Sequence, residues 1–469
     1  MGKKKLNIPV QPGEKLELTV ETLASSGDGL SRYKGYTLFI PLGVPGDSVI
    51  GEVIKITPRF GVVRIVEMKQ FSPDRVKPPC PVFPQCGGCK LQDLPYERQL
   101  EFKKQVVIDN LTRIGKLRLP ETVQIIPASR PYRYRNKASF AVQEKAGKLQ
   151  IGFFRQGTHE VEDSSECEAL VEPINWVKEI VRELLISHRI PIFDETSHKG
   201  FMRGLIVRHS VVTQETLVGL VTTEGSFYTT FIEELKTKTD SAGIPLQGIV
   251  QNFNPWKTNI ILGKHNKVLY GRSHIIEKLG NIEFHLSLPS FFQVNHWQTI
   301  ELYDLVKEWA GPNSGPIMDA YCGIGGISFW LAEHSVTGIE EVPEAIEDAV
   351  KSALLNNIET CRFLSGPIEN HIQDLSEWGE VSTLILDPPR KGCSKEVIQA
   401  VLENLNPKKI IYVSCNPATL ARDLSKLCEE SYALIDLKVV DMFPQTQHIE
   451  TAVFLEAVQN QNPRDQEKA

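Results

Sequence analysis

The chain has 469 residues, of which 41% are hydrophobic and 23% charged, and its formal net charge is −6. At about 150 residues per domain, this length predicts about three domains. The negative charge excludes coating of nucleic acid by bulk attraction, but it is compatible with a local basic groove. No apolar run of about 18 residues predicts a membrane span. The N-terminal stretch MGKKKLNIPVQPGEKLEL lacks the apolar core of a secretory signal, so we expect a cytoplasmic protein without membrane attachment.

The first 280 residues show two patterns. Residues 8–70 contain short β-branched runs separated by glycine and proline turn signals, which predict a small all-β barrel. The proline-rich stretch FSPDRVKPPCPVFPQC then leads into residues 71–280, where strand patterns mix with helical patterns near 95–115 and 173–188. This mixture predicts an α+β domain.

The pattern changes from residue 281 onwards. Over residues 281–460, apolar strands such as GPIMDA, SVTGIE, VSTLILD and KKIIYVS alternate with helices. Such alternation predicts an α/β fold, a Rossmann-like doubly wound sheet with parallel strands. Ligands bind beyond the carboxyl ends of the strands in these sheets. The polar tail over residues 461–469 is expected to be frayed.

A glycine loop follows the first of these strands. The strand ends at Asp319, the loop contains Gly323, Gly325 and Gly326, and the next strand ends about twenty residues later at Glu340. Glycines allow close approach of a ligand, and the second carboxylate is placed to accept hydrogen bonds from ribose hydroxyls. The spacing fails the G-x-G-x-x-G pattern, and an acid before the loop suits a cationic nucleoside such as S-adenosylmethionine. The alternative is a tight turn without a ligand.

Three further reactive side chains lie at strand ends. Asp387 precedes two prolines in LILDPPRKGCS, Cys415 follows the strand of KKIIYVSCNPATLARDL, and Glu450 begins a final strand in VVDMFPQTQHIETAVFLE. A buried cysteine alone is more often a packing residue than a nucleophile. A thiol and a carboxylate beside a predicted cofactor loop favour catalysis instead.

Four of the nine cysteines are separate from this region. Cys80, Cys86 and Cys89 are clustered around two glycines, and Cys167 is distant. An odd total in a chain expected to be cytoplasmic argues against a disulfide framework. The spacing suits a metal centre and leaves zinc and iron–sulfur equally open, with an unmetallated loop as the third possibility.

The stretch SRPYRYRNKASF interleaves basic and aromatic residues without an acid. Its members are Arg130, Tyr132, Arg133, Tyr134, Arg135 and Lys137. Basic side chains can neutralise phosphates, and aromatic rings can stack on unpaired bases, so this stretch predicts an RNA contact. The alternative is a solvated strand face.

Four motifs in this order, DAYCGIGGIS, DPPRKG, SCNP and FPQTQHIE, together with SFFQVN at 290–295, carry a specific resemblance. They resemble the S-adenosylmethionine-dependent RNA uracil-5 methyltransferases, which make 5-methyluridine in transfer and ribosomal RNA. Residues 8–70 resemble the TRAM domain of the ribosomal-RNA branch, and CPVFPQCGGCKLQ resembles its iron–sulfur segment. The chain departs from the family pattern at Ala320, where leucine is commoner, and at Gln445, where histidine is common.

The resemblance implies a role for ten residues. Cys415 is the nucleophile and Glu450 the base; Gln293, Tyr321, Glu340 and Asp387 bind S-adenosylmethionine; and Cys80, Cys86, Cys89 and Cys167 hold a [4Fe–4S] cluster. Addition of the thiolate to C6 makes C5 nucleophilic toward the methyl group, and the base then removes the C5 proton. The expected partner is RNA, ribosomal RNA first, with the target uridine out of its stack, and we expect a monomer.

Three other functions compete with this prediction. Transfer RNA is an alternative target for the same reaction. A non-catalytic RNA-binding factor on the same scaffold is a second alternative, which the intact Cys415 and Glu450 argue against. An NAD-dependent dehydrogenase with a catalytic cysteine is the third, and the glycine spacing weakens it.

Overall fold

The computed structural model describes residues 8–256, 261–372, 380–429 and 431–458, so the predicted tail at 461–469 lies outside the described residues. Along these ranges, none of the helices combines the length and the apolar character needed to cross a lipid bilayer. In chain order the elements are β1 (Lys15–Thr19), β2 (Thr22–Leu23), β3 (Gly29–Tyr33), β4 (Tyr36–Ile40), β5 (Ser48–Ile56), β6 (Phe60–Gln70), α1 (Tyr96–Arg113), β7 (Gln124–Ile126), β8 (Lys137–Lys145), β9 (Lys148–Phe154), β10 (Val161–Asp163), α2 (Glu172–Ser187), β11 (Met202–His209), β12 (Thr216–Thr222), α3 (Thr229–Ser241), β13 (Leu246–Phe253), β14 (His265–Gly271), β15 (His274–Leu279), β16 (Ile282–Ser287), α4 (His296–Ala310), β17 (Ile317–Ala320), α5 (Gly326–Trp330), β18 (Val336–Glu340), α6 (Pro343–Leu355), β19 (Cys361–Ser365), α7 (Ile368–Ile372), β20 (Thr383–Leu386), α8 (Lys395–Ala400), β21 (Lys409–Ser414), α9 (Pro417–Leu427), β22 (Tyr432–Val440) and β23 (Glu450–Ala457).

The N-terminal unit is a six-stranded sheet in the order β1–β5–β6–β4–β3–β2. Side chains alternate between buried and exposed along β1 and β4, as expected for strands with one face on a core. Leu18, Leu38, Ile40, Val49 and Val53 fill that core. This β-rich unit covers the segment for which the sequence predicts a barrel.

The middle of the chain forms a seven-stranded sheet in the order β10–β9–β8–β11–β12–β13–β14. Its strands are mostly antiparallel, and β12 and β13 form a parallel pair. The helices α2 and α3 pack on one another and cover this sheet through a shared apolar core that includes Val177, Val181 and Leu235. This arrangement agrees with the predicted α+β pattern.

The C-terminal sheet has eight strands in the order β19–β18–β17–β20–β21–β23–β22–β7. The strands from β17 to β21 are parallel, and β23 is antiparallel to both of its neighbours. The strand order reverses between β17 and β20, which is the switch point where doubly wound sheets bind ligands. The predicted α/β, doubly wound class is therefore confirmed.

Contacts cross the predicted domain division in two places. Helix α1 packs on α9, and β7 pairs with β22, so residues assigned to the central unit join the C-terminal sheet. Val107 and Leu111 of α1 share one buried core with Leu420 and Leu424 of α9. The boundary expected at residue 281 falls in the turn of the β15–β16 hairpin, and β16 packs on α6. Periodicity predicts an apolar helix face but does not identify the partner that covers it.

Candidate active site

A cleft of about 1230 Å³ opens at the carboxyl ends of β17, β18, β20 and β21. All six residues predicted for cofactor binding and catalysis line it: Gln293, Tyr321, Glu340, Asp387, Cys415 and Glu450. Four of them end or directly follow parallel strands. The carboxyl ends of these strands meet at one edge of the sheet, which brings the four side chains together. The structure thus brings together residues that lie as far as 157 positions apart in the chain.

The glycine loop is held in one shape at the end of β17. Gly325 has φ 82° at the start of α5, a conformation that glycine adopts without strain. A Cβ atom there would lie 2.8 Å from the rings of Phe329 and Phe363. Glu340 accepts hydrogen bonds from the backbone N–H of Gly323 at 3.1 Å and of Val342 at 2.9 Å. The carboxylate predicted to face the ribose therefore also fixes the loop.

Asp319 lies beneath this loop with one oxygen unsatisfied. Its Oδ2 accepts a hydrogen bond from Ser328 Oγ at 2.6 Å, whereas its Oδ1 has no partner among the described residues. Burial, with a smaller contribution from Glu340, raises the pKa of Asp319 to about 7. A buried carboxylate oxygen without a partner is costly unless a donor arrives. Its position in the cleft suits a cationic or amino group of a ligand.

The SFFQVN segment between β16 and α4 carries Gln293 to the cleft. Lys137 Nζ donates to the carbonyl of Ser290 at 3.3 Å, and the guanidinium of Arg208 donates to the same oxygen. Asn295 begins α4 by accepting a hydrogen bond from Gln298 N. Buried groups thus hold the backbone on both sides of Gln293.

Cys415 and Glu450 lie next to the last residue pair of two neighbouring antiparallel strands. Ser414 at the end of β21 pairs with Thr451 in β23; Cys415 follows the first of these residues and Glu450 precedes the second. Both line the cleft, and the carboxylate of Glu450 is near enough to raise the pKa of the thiol. The register of the sheet therefore places a thiol and a carboxylate together at the end of the cleft.

Three charged groups set the proton affinity of this pair. The pKa of Cys415 is raised to about 11, chiefly by burial and also by the carboxylates of Glu450 and Asp387, against an opposing effect of Arg390. Burial also raises the pKa of Glu450 well above its usual value, Asp387 adds to this, and Arg390 again opposes. The pKa of Asp387 rises to about 7 through burial and the nearby carboxylates of Asp319 and Glu340. At neutral pH the Cys415 thiol of the resting site is therefore protonated, and Glu450 holds a proton more readily than an ordinary carboxylate does.

The turn after Cys415 is tied to the turn after Asp387. Asn416 begins α9 by accepting from Ala418 N at 3.1 Å, and Pro417 occupies the first helical position. The Asn416 amide also donates to the carbonyl of Arg390 at 2.9 Å. This bond fixes the DPPRKG and SCNP motifs relative to each other.

The sequence did not predict two residues of the cleft, although both lie within motifs that carry the family resemblance. Arg390 belongs to DPPRKG and His448 to FPQTQHIE, and both line the cleft. Arg390 Nη2 lies 3.5 Å from His448 Nδ1. Burial, with a smaller effect of Arg390, lowers the pKa of His448 to about 4, so the ring is neutral at neutral pH. Their presence inside the motifs was the signal that could have identified them.

The four cysteines of the predicted metal site line a second cavity, of about 150 Å³. Cys80, Cys86, Cys89 and Cys167 are all free thiols there, and burial raises the pKa of Cys86 to about 11 and of Cys89 to about 12. Within the part of the chain that the structure describes, no three His, Cys, Asp or Glu side chains converge closely enough to hold one metal ion. The thiols are therefore gathered around one cavity without forming a compact single-ion site.

The basic stretch near residue 130 is mostly structural, which corrects its predicted role. Arg133 pairs with Glu166 at 2.5 Å and Glu168 at 3.3 Å, and Tyr134 is fully buried with its hydroxyl on the carbonyl of Pro444. Burial lowers the pKa of Lys137 to about 6. Arg130 stays exposed, 4.2 Å from the ring of Trp297. The acidic partners lie 33 and more residues away, so the local sequence did not reveal them.

Comparison with known proteins agrees with this geometry. Residues 95–458 match the family described as tRNA (Uracil-5-)-methyltransferase. A protein of Halalkalibacterium halodurans named as an uncharacterized RNA methyltransferase is 41% identical over 463 residues, which cover 96% of this chain and 99% of that protein. A Bacillus cereus protein of the same description is 38% identical and covers 97% of this chain and 99% of its own length.

A solved structure is similar over nearly the whole chain. It is the Pyrococcus abyssi tRNA (uracil-54, C5)-methyltransferase in complex with S-adenosyl-L-homocysteine. The two share 28% sequence identity with a TM-score of 0.75, and the alignment covers 94% of this chain and 99% of that chain. The chain therefore belongs to the family of S-adenosylmethionine-dependent RNA uracil-5-methyltransferases and is an RNA (uracil-5-)-methyltransferase.

Proposed function

We propose that this enzyme methylates C5 of an unpaired uridine in RNA, with Cys415 as the nucleophile and Glu450 as the base. The observation that carries the proposal is the register of β21 and β23, which sets the thiol near the carboxylate at the end of the cleft. A nucleophile and a proton acceptor within reach of one ring are what covalent catalysis on a pyrimidine needs.

The reaction starts with transfer of the Cys415 thiol proton to solvent, which Arg390 favours. The sulfur adds to C6 of the uracil, forming the Sγ–C6 bond and moving the electron pair of the C5–C6 double bond toward the carbonyl oxygen on C4. When bound, S-adenosylmethionine supplies an electrophilic methyl group for C5. Glu450, ionised at this stage, takes the proton from C5, and the electron pair it leaves expels the sulfur from C6. Cys415 is thereby regenerated.

We infer that S-adenosylmethionine occupies the part of the cleft near the glycine loop. Gln293, Tyr321, Glu340 and Asp387 line that part and would hold it. The unpaired Oδ1 of Asp319 fits a ligand that carries an amino group and a positive charge.

We infer ribosomal RNA as the first candidate substrate, because the barrel and the cysteine segment resemble the ribosomal-RNA branch. Transfer RNA is the second candidate, and a specific observation favours it. The Pyrococcus abyssi enzyme is named for position 54 of transfer RNA, and its similarity covers 94% of this chain. The N-terminal unit alone therefore does not decide between the two RNAs.

We propose that residues 8–70 form a TRAM-like RNA-binding barrel and that the four cysteines hold a [4Fe–4S] cluster. The first proposal is supported by the six-stranded sheet, and the second by the four thiols around one cavity. A zinc ion needs all its sulfur ligands at about 2.3 Å from one point, whereas a cluster of four irons spreads its thiolates farther apart. We propose residues 71–280 and 281–460 as the central and methyltransferase domains, with α1 and β7 packed on the latter.

Mapping of 5-methyluridine tests this function. RNA from cells that lack the protein should lose 5-methyluridine at a discrete site, which identifies ribosomal or transfer RNA as the target. Re-expression of the native chain or of Cys428→Ala should restore the site, because Cys428 lies at the far end of α9. Cys415→Ala should not restore it. Unchanged 5-methyluridine in both RNAs would refute the proposal.

A further inference from the structure

One wall of the cleft lacks helix and strand structure. It is the segment over residues 441–449, here called the cleft wall, which leads directly into Glu450. Phe443 and His448 of the wall line the cleft. Because no ladder or helix fixes this segment from within, its position depends on bonds from other parts of the chain.

Gln445, at the centre of the wall, is fixed on all sides. It is 1% exposed and has φ 68°, a left-handed conformation that is costly for a residue with a side chain. Its carbonyl accepts hydrogen bonds from Lys90 N at 2.9 Å and Leu91 N at 3.0 Å. Its N–H donates to Gln99 Oε1 at 3.1 Å. A strained conformation of this kind persists only where the surroundings hold it.

Gln99 of α1 completes a reciprocal pair with Gln445. Its Nε2 donates to Gln445 Oε1 at 3.0 Å and also lies 2.9 Å from the carbonyl of Leu91 and 3.0 Å from that of Leu94. Gln99 is fully buried. In this pair Gln99 uses both ends of its amide, whereas residue 445 provides its backbone N–H and a side-chain oxygen that accepts a hydrogen bond.

A second tie lies one turn further along α1. Lys103 Nζ donates to Asp441 Oδ1 at 2.5 Å and to the carbonyl of Phe443 at 2.9 Å. Lys103 and Asp441 are both fully buried, and Tyr96 donates to the second oxygen of Asp441 at 2.7 Å. Helix α1 therefore contacts the cleft wall in two places. The Lys103–Asp441 ion pair holds the start of the wall, and the Gln99–Gln445 pair holds its middle.

We propose that the Gln99–Gln445 pair is a positioning device, which sets the cleft wall so that His448 and Glu450 face Cys415. Neither glutamine lines the cleft, so in this proposal they act through the wall. The catalytic part of this inference rests on the proposed function, whereas its structural part does not. Tyr321, Glu340 and Asp387, on the cofactor side of the cleft, belong to or follow other strands. Changes in the glutamine pair should therefore leave cofactor binding unchanged.

The test is Gln99→Glu, which keeps the shape of the side chain but removes its donor. A carboxylate would then face three oxygens, those of Leu91, Leu94 and Gln445. The matched control is Gln251→Glu on β13, a fully buried glutamine whose amide donates to Thr222 and Gly225 and does not line the cleft. Both changes remove buried hydrogen bonds, but only the first touches the wall.

Hydrogen exchange, cofactor titration and single-turnover methyl transfer are measured on the full chain. We expect Gln99→Glu to speed amide exchange over residues 441–449 by about tenfold and to slow methyl transfer by a similar factor. The dissociation constant of S-adenosylmethionine should stay within about twofold, since the cofactor residues are separate. Gln251→Glu should leave all three quantities near the native values.

Two results would overturn the inference. One is native exchange over 441–449 in folded Gln99→Glu, which would show that the pair does not hold the wall. The other is faster exchange with an unchanged transfer rate, which would show that the wall does not position the reacting groups. Should Gln99→Glu fail to fold, Gln445→Ala keeps the bonds from Gln99 to Leu91 and Leu94 and should shift both quantities in the same direction. If the native chain transfers no methyl group, the proposed function fails and exchange alone decides the pair.

Discussion

Arg390 works against the groups that keep Cys415 protonated. Burial, which has the largest effect, and the carboxylates of Glu450 and Asp387 raise the pKa of the thiol, whereas Arg390 lowers it. It also favours the ionised form of Glu450, so one guanidinium serves both steps that need an anion. Its carbonyl is held by Asn416, next to the nucleophile, which keeps the charge near the sulfur.

Replacing Arg390 should therefore slow covalent addition. The rate of adduct formation with 5-fluorouridine RNA should rise with pH from 7 to 9, because the thiol pKa near 11 leaves little thiolate at pH 7. Arg390→Gln raises that pKa further, so we expect a rate up to about tenfold lower at each pH. The measurement is a series of single-turnover rates against pH.

The controls separate charge from shape. Arg390→Lys keeps a cation and should retain most of the rate, whereas Lys395→Gln, an exposed residue of α8, should have no effect. A rate independent of pH, or equal rates for the native chain and Arg390→Gln, would contradict this account of thiol activation.

For individual residues, the sequence predicted the six candidates for the site but not the charged groups around them. All six predicted residues line one cleft, because each belongs to a motif that lies at a strand end or in the segment before α4. Arg390 and His448 were missed, because an isolated arginine or histidine in a motif does not differ from a surface residue until the strands are assembled. Arg133 was predicted to contact RNA but pairs with Glu166, and this partner could not be recognised because it is distant in sequence.

At the scale of elements, the glycine loop between β17 and α5 lines the cleft, and we expect its shape to affect cofactor binding. Gly325→Ala should weaken S-adenosylmethionine binding and destabilise the fold. The left-handed backbone costs about 1–2 kcal/mol, and the contacts with Phe329 and Phe363 add about 1–3 kcal/mol. Thermal unfolding and equilibrium dialysis of the cofactor measure the two effects.

A matched glycine isolates the contribution of the crowding. Gly147, between β8 and β9, has φ 73°, and a Cβ atom there would meet no atom within 4 Å. Gly147→Ala should therefore show the backbone cost alone and bind the cofactor normally. Equal losses of stability in both variants, with native cofactor affinity in Gly325→Ala, would argue against a tightly packed loop.

The sequence predicted the order of the elements better than their partners. The alternation of strands and helices indicated the parallel sheet, because buried parallel strands form continuous apolar runs. It did not show that β7 pairs with β22 or that α1 covers α9, since such contacts join residues more than 300 positions apart. Those contacts are what connect the middle of the chain to the active-site sheet.

At the scale of the whole molecule, the cysteine segment is joined to the cleft by a short path. Lys90 and Leu91 follow Cys89 directly, and their N–H groups bond to Gln445 of the cleft wall. Lys90 Nζ also pairs with Asp28 of the N-terminal unit at 2.8 Å. We therefore expect a change at the cysteine cavity to affect the wall and the N-terminal sheet through these bonds.

Loss of the proposed cluster should therefore loosen the cleft wall. Protein purified without oxygen should contain about four irons per chain, and Cys89→Ser should lose them and exchange amides faster over residues 441–449. The Cys428→Ser variant should keep its iron, because Cys428 does not line the cavity. One zinc per chain and no iron in the native protein would contradict the cluster.

The central claim is that Cys415 bonds to the RNA and that Glu450 releases it. Its most direct measurement is mass spectrometry of the Glu450→Gln variant incubated with substrate RNA and S-adenosylmethionine. Because the C5 proton then has no acceptor, we predict a methylated nucleotide that stays bonded to Cys415 after denaturation and digestion. Free methylated RNA and an unmodified Cys415 in the same variant would contradict the account.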